Sequence, residues 1–518
     1  MKTVKEILSN ILFWLQDTQF KIYDLLFLLV YGAIIGFAIW HHEPWSDEAL
    51  PWMIARDTDW GGFFNMMFHN YDRHPALLHT ILIPFTKFGL PYFSQTILNL
   101  LLSLWVAFLF LTRAPFSRVF RVLFLFSYYI IYEYSVITRP YMLAVALVFT
   151  IALIYSKREK YPVIYAALIT LLFHADYMGF GLASGLTLAF FLEYKSFFKS
   201  HPRMMAAFLM MALNGALVLW IGHALPPDHA EYGSKMAFSI SYLGKSAANA
   251  FFPFAEHGLH DVLRVWMATL AAFAVLILTF VSLINKPIPA LILGTSLGFL
   301  LTVFTFFSFG DYRNHGFILI SVVFSLWIAC NYPEDSVEPL SRWQIFQRKA
   351  ARNALIITSI CILFGLQNVY YVYVLERHLP FSGAKGMAKV IRQLEKEQRI
   401  FEQGFVIVAP HKNSVGIMPY LPGVKFWSPC TASYAAYYKS SRAMGACNNL
   451  SELDAVKMTK AYFGDLRRVL FLFRNPLPPF FQDPDYEFRA IFYVSKAFGY
   501  WYETFFLYQT LPKAVRKE

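Results

Sequence analysis

Apolar segments of about the length that crosses a bilayer recur through the first 375 residues, and they constrain this chain more than any single motif does. They cover roughly 22–40, 92–112, 119–134, 139–156, 161–174, 177–193, 204–222, 261–284, 288–308, 315–331 and 353–375. The expectation is an α-helical polytopic membrane protein with about eleven transmembrane helices. Composition agrees. Of 518 residues, 57% are hydrophobic and 15% charged, against about 25% charged in soluble domains. The first apolar run is long enough to span and no small-residue cleavage site follows it, so it is expected to stay as an anchor.

Loop charge orients these spans. With Lys2, Lys5 and Lys21 in the cytoplasm, the inside loops carry Arg113, Arg118 and Arg121; Lys157, Arg158 and Lys160; Lys195, Lys199 and Arg203; Lys286; and Arg342, Arg348, Lys349 and Arg352. Every inside loop is then basic, as the positive-inside rule requires. The net charge of +12 is thus an orientation signal with some attraction for anionic lipid headgroups. No nucleic-acid motif accompanies it, so no nucleic-acid partner is expected. Residues 41–91 form the first outer loop. Its segment His74–Pro84 is too short for a span and contains Pro84, so it reads as a juxtamembrane helix lying along the surface.

Composition changes after residue 376. Residues 383–394 open an amphipathic helix, 405–409 and 469–473 are apolar strands, and 491–494 with 503–508 form a closing pair. The domains expected are 1–376 in the membrane and 377–518 as an extracytoplasmic α/β domain. No Gly-rich nucleotide loop follows either strand. Cys430 and Cys447 can pair if that domain faces an oxidising compartment.

With this orientation the polar residues beside the spans gather on the outer face. Asp47 and Glu48 follow the first span; Arg73 and His74 lie further along that loop. Glu133, Arg139 and Tyr141 sit in the next outer turn, Asp176 in the third, Arg313 and His315 in the fifth. Ionisable groups at membrane depth tend to mark function. Carboxylates serve as general bases or cation ligands, and arginines bind phosphate through paired N–H groups. Each residue has a plainer reading as well. Asp47 also suits a helix N-cap, Glu48 a first-turn acid, His74 a cap of the His-Pro turn, and Arg139, Arg313 and His315 headgroup anchors. The clusters Asp228-His229-Glu231 and Glu256-His257-His260-Asp261 lack tight ligand spacing and read mainly as solvated loop.

Three segments carry a resemblance. They are Ser46-Asp47-Glu48-Ala49 with Ile54-Ala55-Arg56, Arg73-His74-Pro75-Ala76-Leu77, and Thr138-Arg139-Pro140-Tyr141-Met142-Leu143. In order and spacing the chain resembles the C-type membrane glycosyltransferases (GT-C fold), in the family of protein O-mannosyltransferases and the lipid A aminoarabinose transferase. The likeness covers roughly residues 22–200 best. It implies inverting transfer of a sugar from a polyprenyl-phosphate donor to a lipid, glycan or protein acceptor, at the outer face of a bacterial inner or plasma membrane. Asp47 would be the catalytic carboxylate, assisted by Glu48. Arg73, His74, Glu133, Arg139, Tyr141, Asp176, Arg313 and His315 would bind substrate. Glu133 and Asp176 are both candidates for a second catalytic carboxyl. Metal dependence varies in this superfamily, so a divalent cation at Asp47 and Glu48 stays open, and no other cofactor is implied. Ala76 replaces the second proline of the family's His-Pro-Pro. The competing classes are a lipid or solute transporter and a non-catalytic assembly subunit. Neither inverted repeats nor broken spans favour transport.

The topology has a direct check. A membrane-impermeant thiol reagent should reach Cys430 and Cys447 from outside the cell; labelling from the cytoplasm would invert every loop assignment above.

Overall fold

Long apolar runs flanked by Pro or basic residues become long helices here. The computed structural model describes residues 22–72, 74–223, 238–253, 262–307, 310, 312–332, 342–410, 412–435, 437, 447, 450–494, 497–499 and 503–513. Among them, 7 helices are long and apolar enough to cross a membrane: Ile22–His41, Ser94–Arg113, Pro140–Lys157, Pro202–Gly222, Val265–Leu283, Pro287–Phe306 and Arg342–His378. Shorter helices stand at Pro162–Ala175, Phe180–Tyr194 and Tyr312–Ala329. Trp40, Trp220, Trp266, Leu270, Phe364 and Tyr370 are exposed on these helices. Such surface suits lipid contact and not water, as in an integral membrane protein. The helix Arg342–His378 has 37 residues, about 55 Å at the α-helical rise, and so outruns the apolar stretch expected at 353–375.

The chain divides into two compact units. The first comprises Met1–Ile39, Ile97–Trp220 and Gly233–Tyr373; the second comprises Trp40–Thr96, Ile221–Tyr232 and Val374–Glu518. Residues 41–91 thus fall largely in the same unit as the C-terminal segment.

In the first unit, the expected span 119–134 is interrupted. An α-helix, Arg118–Leu125, is followed by a π-helical turn, Tyr129–Glu133. Every residue from 127 to 149 is buried. Irregular backbone is tolerated at membrane depth only where protein satisfies it, and here it is satisfied. Tyr31 Oη donates to the Ile130 carbonyl at 3.2 Å, and Asn99 Nδ2 donates to the carbonyls of Tyr134 and Ser135, each at 2.9 Å. Arg118 and Arg121, read above as loop charges, are fully buried. Arg118 pairs with Asp24 at 3.0 Å, and Arg121 donates to the Leu111 carbonyl. A carboxylate in the first turn of an apolar helix needs a buried counter-charge, so these arginines are internal struts. Gly181 and Gly185, spaced four apart, let their helix close on Pro287–Thr302. A Cβ on Gly185 would lie 3.0 Å from Ile292 Cα, the close approach that small residues permit.

In the second unit the segment after the first apolar helix forms three helices, Ser46–Asp57, Trp60–Phe68 and Leu77–Lys87. Thr86 Oγ1 donates to the Ala55 carbonyl at 3.1 Å and Lys87 Nζ to the Arg56 carbonyl at 2.9 Å, tying the third helix to the first. The C-terminal segment contains a mixed 6-stranded sheet. Its strands are β1 (Val406–Val408), β2 (Phe426–Ser428), β3 (Ser433–Ala435), β4 (Val469–Phe473), β5 (Tyr486–Val494) and β6 (Phe505–Pro512), in the order β3-β2-β1-β4-β6-β5. β1 runs parallel to β2 and β4, while β6 pairs antiparallel with β4 and β5. Central β4 is buried throughout, which is why it reads as an unbroken apolar run. Helix Glu452–Phe463 covers the sheet through Ala455 and Val456, against Val408, Trp427 and Phe471, and stops at Gly464 with φ 71°.

Cys430 and Cys447 form a disulfide with Cα atoms 5.8 Å apart, consistent with an extracytoplasmic domain. The topology labelling above therefore needs prior reduction. By loop-closure entropy, a bridge of this span should contribute about 3 kcal/mol. Replacing both cysteines with serine should lower the denaturant midpoint accordingly; an unchanged midpoint would show that the bridge does not stabilise the sheet.

Candidate functional site

Two adjacent carboxylates open the helix Ser46–Asp57, and the fold treats them differently. Glu48, the third residue of the helix, is fully buried. Its Oε1 accepts from the Trp45 backbone N at 3.2 Å, satisfying an N–H that the helix leaves unpaired. The same oxygen lies 2.9 Å from His42 Nε2, and His42 Nδ1 lies 2.7 Å from Glu376 Oε1. His42 and Glu376 are buried as well. An imidazole can donate from both nitrogens only when doubly protonated. Burial opposes that charge, but Glu376 and Glu48 outweigh it and push His42 up to about 10. Asp47 stays half-buried in the first turn, at the helix end whose dipole favours an anion.

The same turn is held from a second side. Ser46 N donates to Glu503 Oε1 at 3.0 Å, and the Ser382 hydroxyl donates to Glu503 Oε2. Burial pushes Glu503 up to about 7, against the downward pull of those hydrogen bonds, with the charge of Asp47 adding to the rise. Gln95 Nε2 donates to the Glu48 carbonyl at 3.1 Å. The rings of Tyr92 and Tyr420 meet edge to face at 5.4 Å. Burial first, then neighbouring acidic groups including Glu48 and Glu503, raise both hydroxyls well above the ordinary tyrosine range. Glu43 is also raised by burial, with Lys385 and Lys389 opposing. His74 is half-buried ahead of the helix Leu77–Lys87, while His79 Nε2 of that helix lies 2.9 Å from buried Asp72 Oδ2. Arg73 lies outside the described residues, as do the clusters at 228–231 and 256–261.

The first unit gathers Glu133, Arg139, Tyr141, Asp176, Arg313 and His315, all buried. Glu133 ends the π-helical turn, and its Oε1 is 3.4 Å from Arg313 Nε. Tyr128 Oη donates to Glu133 Oε2 at 3.2 Å. Tyr134 Oη donates to the Arg313 carbonyl at 2.7 Å and Tyr129 Oη to the Tyr312 carbonyl at 2.9 Å. His315 Nδ1 is 3.2 Å from Asn249 Nδ2, and Tyr141 Oη donates to Asn314 Oδ1 at 3.0 Å. Gly316 is required at this crossing, since a Cβ there would fall 2.7 Å from the Tyr129 ring. Arg139 precedes Pro140 at the head of its helix, with its guanidinium carbon 5.8 Å from the Tyr141 ring centroid. Burial pushes Asp176 up to about 6, while the Met178 N–H and the Arg139 charge pull it down. An apolar groove of about 340 Å³ opens in this unit, lined by Phe173, Phe180, Leu188, Phe191, Phe208 and Met211 among others.

No family model, curated protein or solved structure matches this chain.

Of the ten site residues expected, six stand in the first unit and Asp47, Glu48 and His74 in the second. Among the described residues, no group of three or more His, Cys, Asp or Glu side chains is arranged to hold a metal ion. Sequence reasoning missed Glu376, Glu503, Tyr92 and Tyr420. Glu376 had a signal, an acid closing an apolar span; Glu503, in the final strand region, had none.

His42 makes stability pH-dependent. Its folded value lies above the ordinary 6.5, so its contribution is complete below about pH 6.5 and is lost as pH rises through about 10. His42→Gln should cost about 3 kcal/mol at pH 6.5, through carboxylates left buried without their cation. It should also flatten the decline between pH 7 and 10. Thermal unfolding of the purified protein across that range checks this; identical pH slopes for both proteins would rule out a buried imidazolium.

Proposed function

We propose that this protein is a membrane glycosyltransferase of the C-type superfamily. In this reading the apolar segments form about eleven spans, and the sheet domain is extracytoplasmic. The enzyme moves a sugar from a polyprenyl-phosphate donor to an acceptor hydroxyl at the outer face, with inversion. The observation that carries the reading is the division of labour between two neighbouring carboxylates. Glu48 is fully buried and engaged by His42 and Trp45; Asp47, one residue earlier at the positive end of the helix, is partly accessible.

The chemistry assigns a role to each group. Asp47 takes the proton from the acceptor hydroxyl as its oxygen attacks the anomeric carbon. The bond between that carbon and the phosphate oxygen breaks, and the electron pair leaves with the polyprenyl phosphate. Within the first unit, Arg139 and Arg313 are the groups suited to a phosphate, as guanidinium groups are. Glu133 is then the internal anion that balances Arg313 while no donor is bound. Asp176, with a carboxyl raised to about 6, suits proton exchange near neutrality better than an ordinary aspartate. Arg73, His74, Tyr141 and His315 orient sugar or phosphate. Glu48 acts through the helix turn and not on substrate. The phenylalanine-lined groove suits one stretch of a prenyl chain.

Membranes or purified protein supplied with a panel of polyprenyl-phosphate sugars test this reading. Asp47→Asn should lower transfer by about 100-fold or more, the scale of general-base loss, with unfolding unchanged. Arg139→Lys should raise the donor KM by about tenfold with a smaller change in kcat. Full transfer by folded Asp47→Asn removes Asp47 from the chemistry.

A further inference from the structure

The first turn of the helix Ser46–Asp57 is poorly held by the helix itself. Pro51 has no N–H to offer the Asp47 carbonyl four residues earlier, and Ser46 N is one of the N–H groups that a helix start leaves without a partner. Beyond the local contacts of Glu48 with Trp45 and His42, a second hold on this turn comes from far along the chain. Glu503 Oε1 accepts from Ser46 N at 3.0 Å across 457 residues of sequence. Glu503 Oε2 accepts from the Ser382 hydroxyl, whose oxygen accepts in turn from Ala384 N at 3.1 Å. The Glu503 carbonyl accepts from Gly383 N at 3.0 Å. One fully buried residue thus ties the starts of two helices, Ser46–Asp57 and Ala384–Gln398. Gly416 closes the other side. A Cβ on it would lie 3.3 Å from Ser46 N, so a larger residue there would press on the turn.

We propose that Glu503 is a positioning residue for Asp47: its carboxylate fixes the helix turn from which Asp47 acts, so that the C-terminal segment sets the aim of the acceptor-activating base. This rests on the reading of Asp47 as the base of glycosyl transfer. A carboxylate with one oxygen on Ser46 N and the other on Ser382 allows the turn a single placement. Losing it frees Ser46 N and the Ser382 hydroxyl together. A displacement of about 1 Å in a reacting group is enough to cost up to about 100-fold in rate. The amide of glutamine can reproduce both contacts. Its oxygen accepts from Ser46 N and its nitrogen donates to the Ser382 oxygen.

The test uses the full-length purified protein and whichever polyprenyl-phosphate sugar the panel finds active. Glu503→Ala should lower kcat by about tenfold or more with the donor KM within about twofold, the signature of an interaction that matters in the transition state. Glu503→Gln should restore kcat to within about threefold of the parent, and Ser382→Ala should lower it by about threefold. A second readout needs no donor. The thiol of the Asp47→Cys variant should change its alkylation rate by an uncharged reagent by about fivefold or more when Glu503→Ala is added, and hardly at all with Glu503→Gln. Unchanged kcat and thiol rate in folded Glu503→Ala overturn the proposal. So does a loss confined to KM, or a Glu503→Gln protein as poor as Glu503→Ala. If the parent takes no donor while the thiol responds as expected, positioning stands and the glycosyl-transfer reading falls.

Discussion

A buried imidazolium held between two carboxylates is the interaction on which the second unit depends. His42 follows directly on the first apolar helix, Glu48 lies in the first turn of the next helix, and Glu376 lies in the last turns of the 37-residue helix. Each carboxylate alone would be costly to bury. With the imidazolium between them both are accommodated, and three stretches of chain are fixed at one point. The consequence for chemistry is indirect. Glu48 is committed inward, while its neighbour Asp47 in the same turn is only half-buried.

The first unit follows the same rule with different groups. Its apolar helices enclose Asp24 with Arg118 and Glu133 with Arg313, and each ion pair is buried. Its irregular backbone is satisfied by Tyr31 and Asn99, and tyrosine hydroxyls pair with carbonyls across helices. Single pairs of this kind confer little net stability over apolar packing. Their value here is a fixed arrangement of arginines, carboxyls and tyrosines inside an apolar scaffold.

Much of the fold was legible because its signals are local. Apolar runs such as 139–156 and 204–222 became helices at Pro140–Ile154 and Pro202–His223, and the uninterrupted run 469–473 became central strand β4. Strands β2 and β3 were not legible, because Phe426-Trp427-Ser428 and Ser433-Tyr434-Ala435 sit in no unbroken apolar run like the one at 405–409. The helix Glu452–Phe463 was overlooked although Ser451 caps it and Gly464 ends it. The break after Leu125 was hidden because Phe126 to Ile131 is as apolar and aromatic as the helix before it. The site was legible only in pieces. Arg139, Arg313 and Glu133 stood out as charges beside apolar runs. The pairing of His42 with Glu376 spans 334 residues, and no spacing rule could join them.

The stereochemistry of the product tests the functional account most directly. A donor of known anomeric configuration, a polyprenyl-phosphate sugar, is turned over by the purified protein, and the anomeric proton coupling of the glycosylated acceptor is read by NMR before any equilibration. Direct attack by an acceptor hydroxyl deprotonated at Asp47 predicts a product of inverted configuration. A retained configuration would require a covalent glycosyl-enzyme or a different base, and would contradict the account.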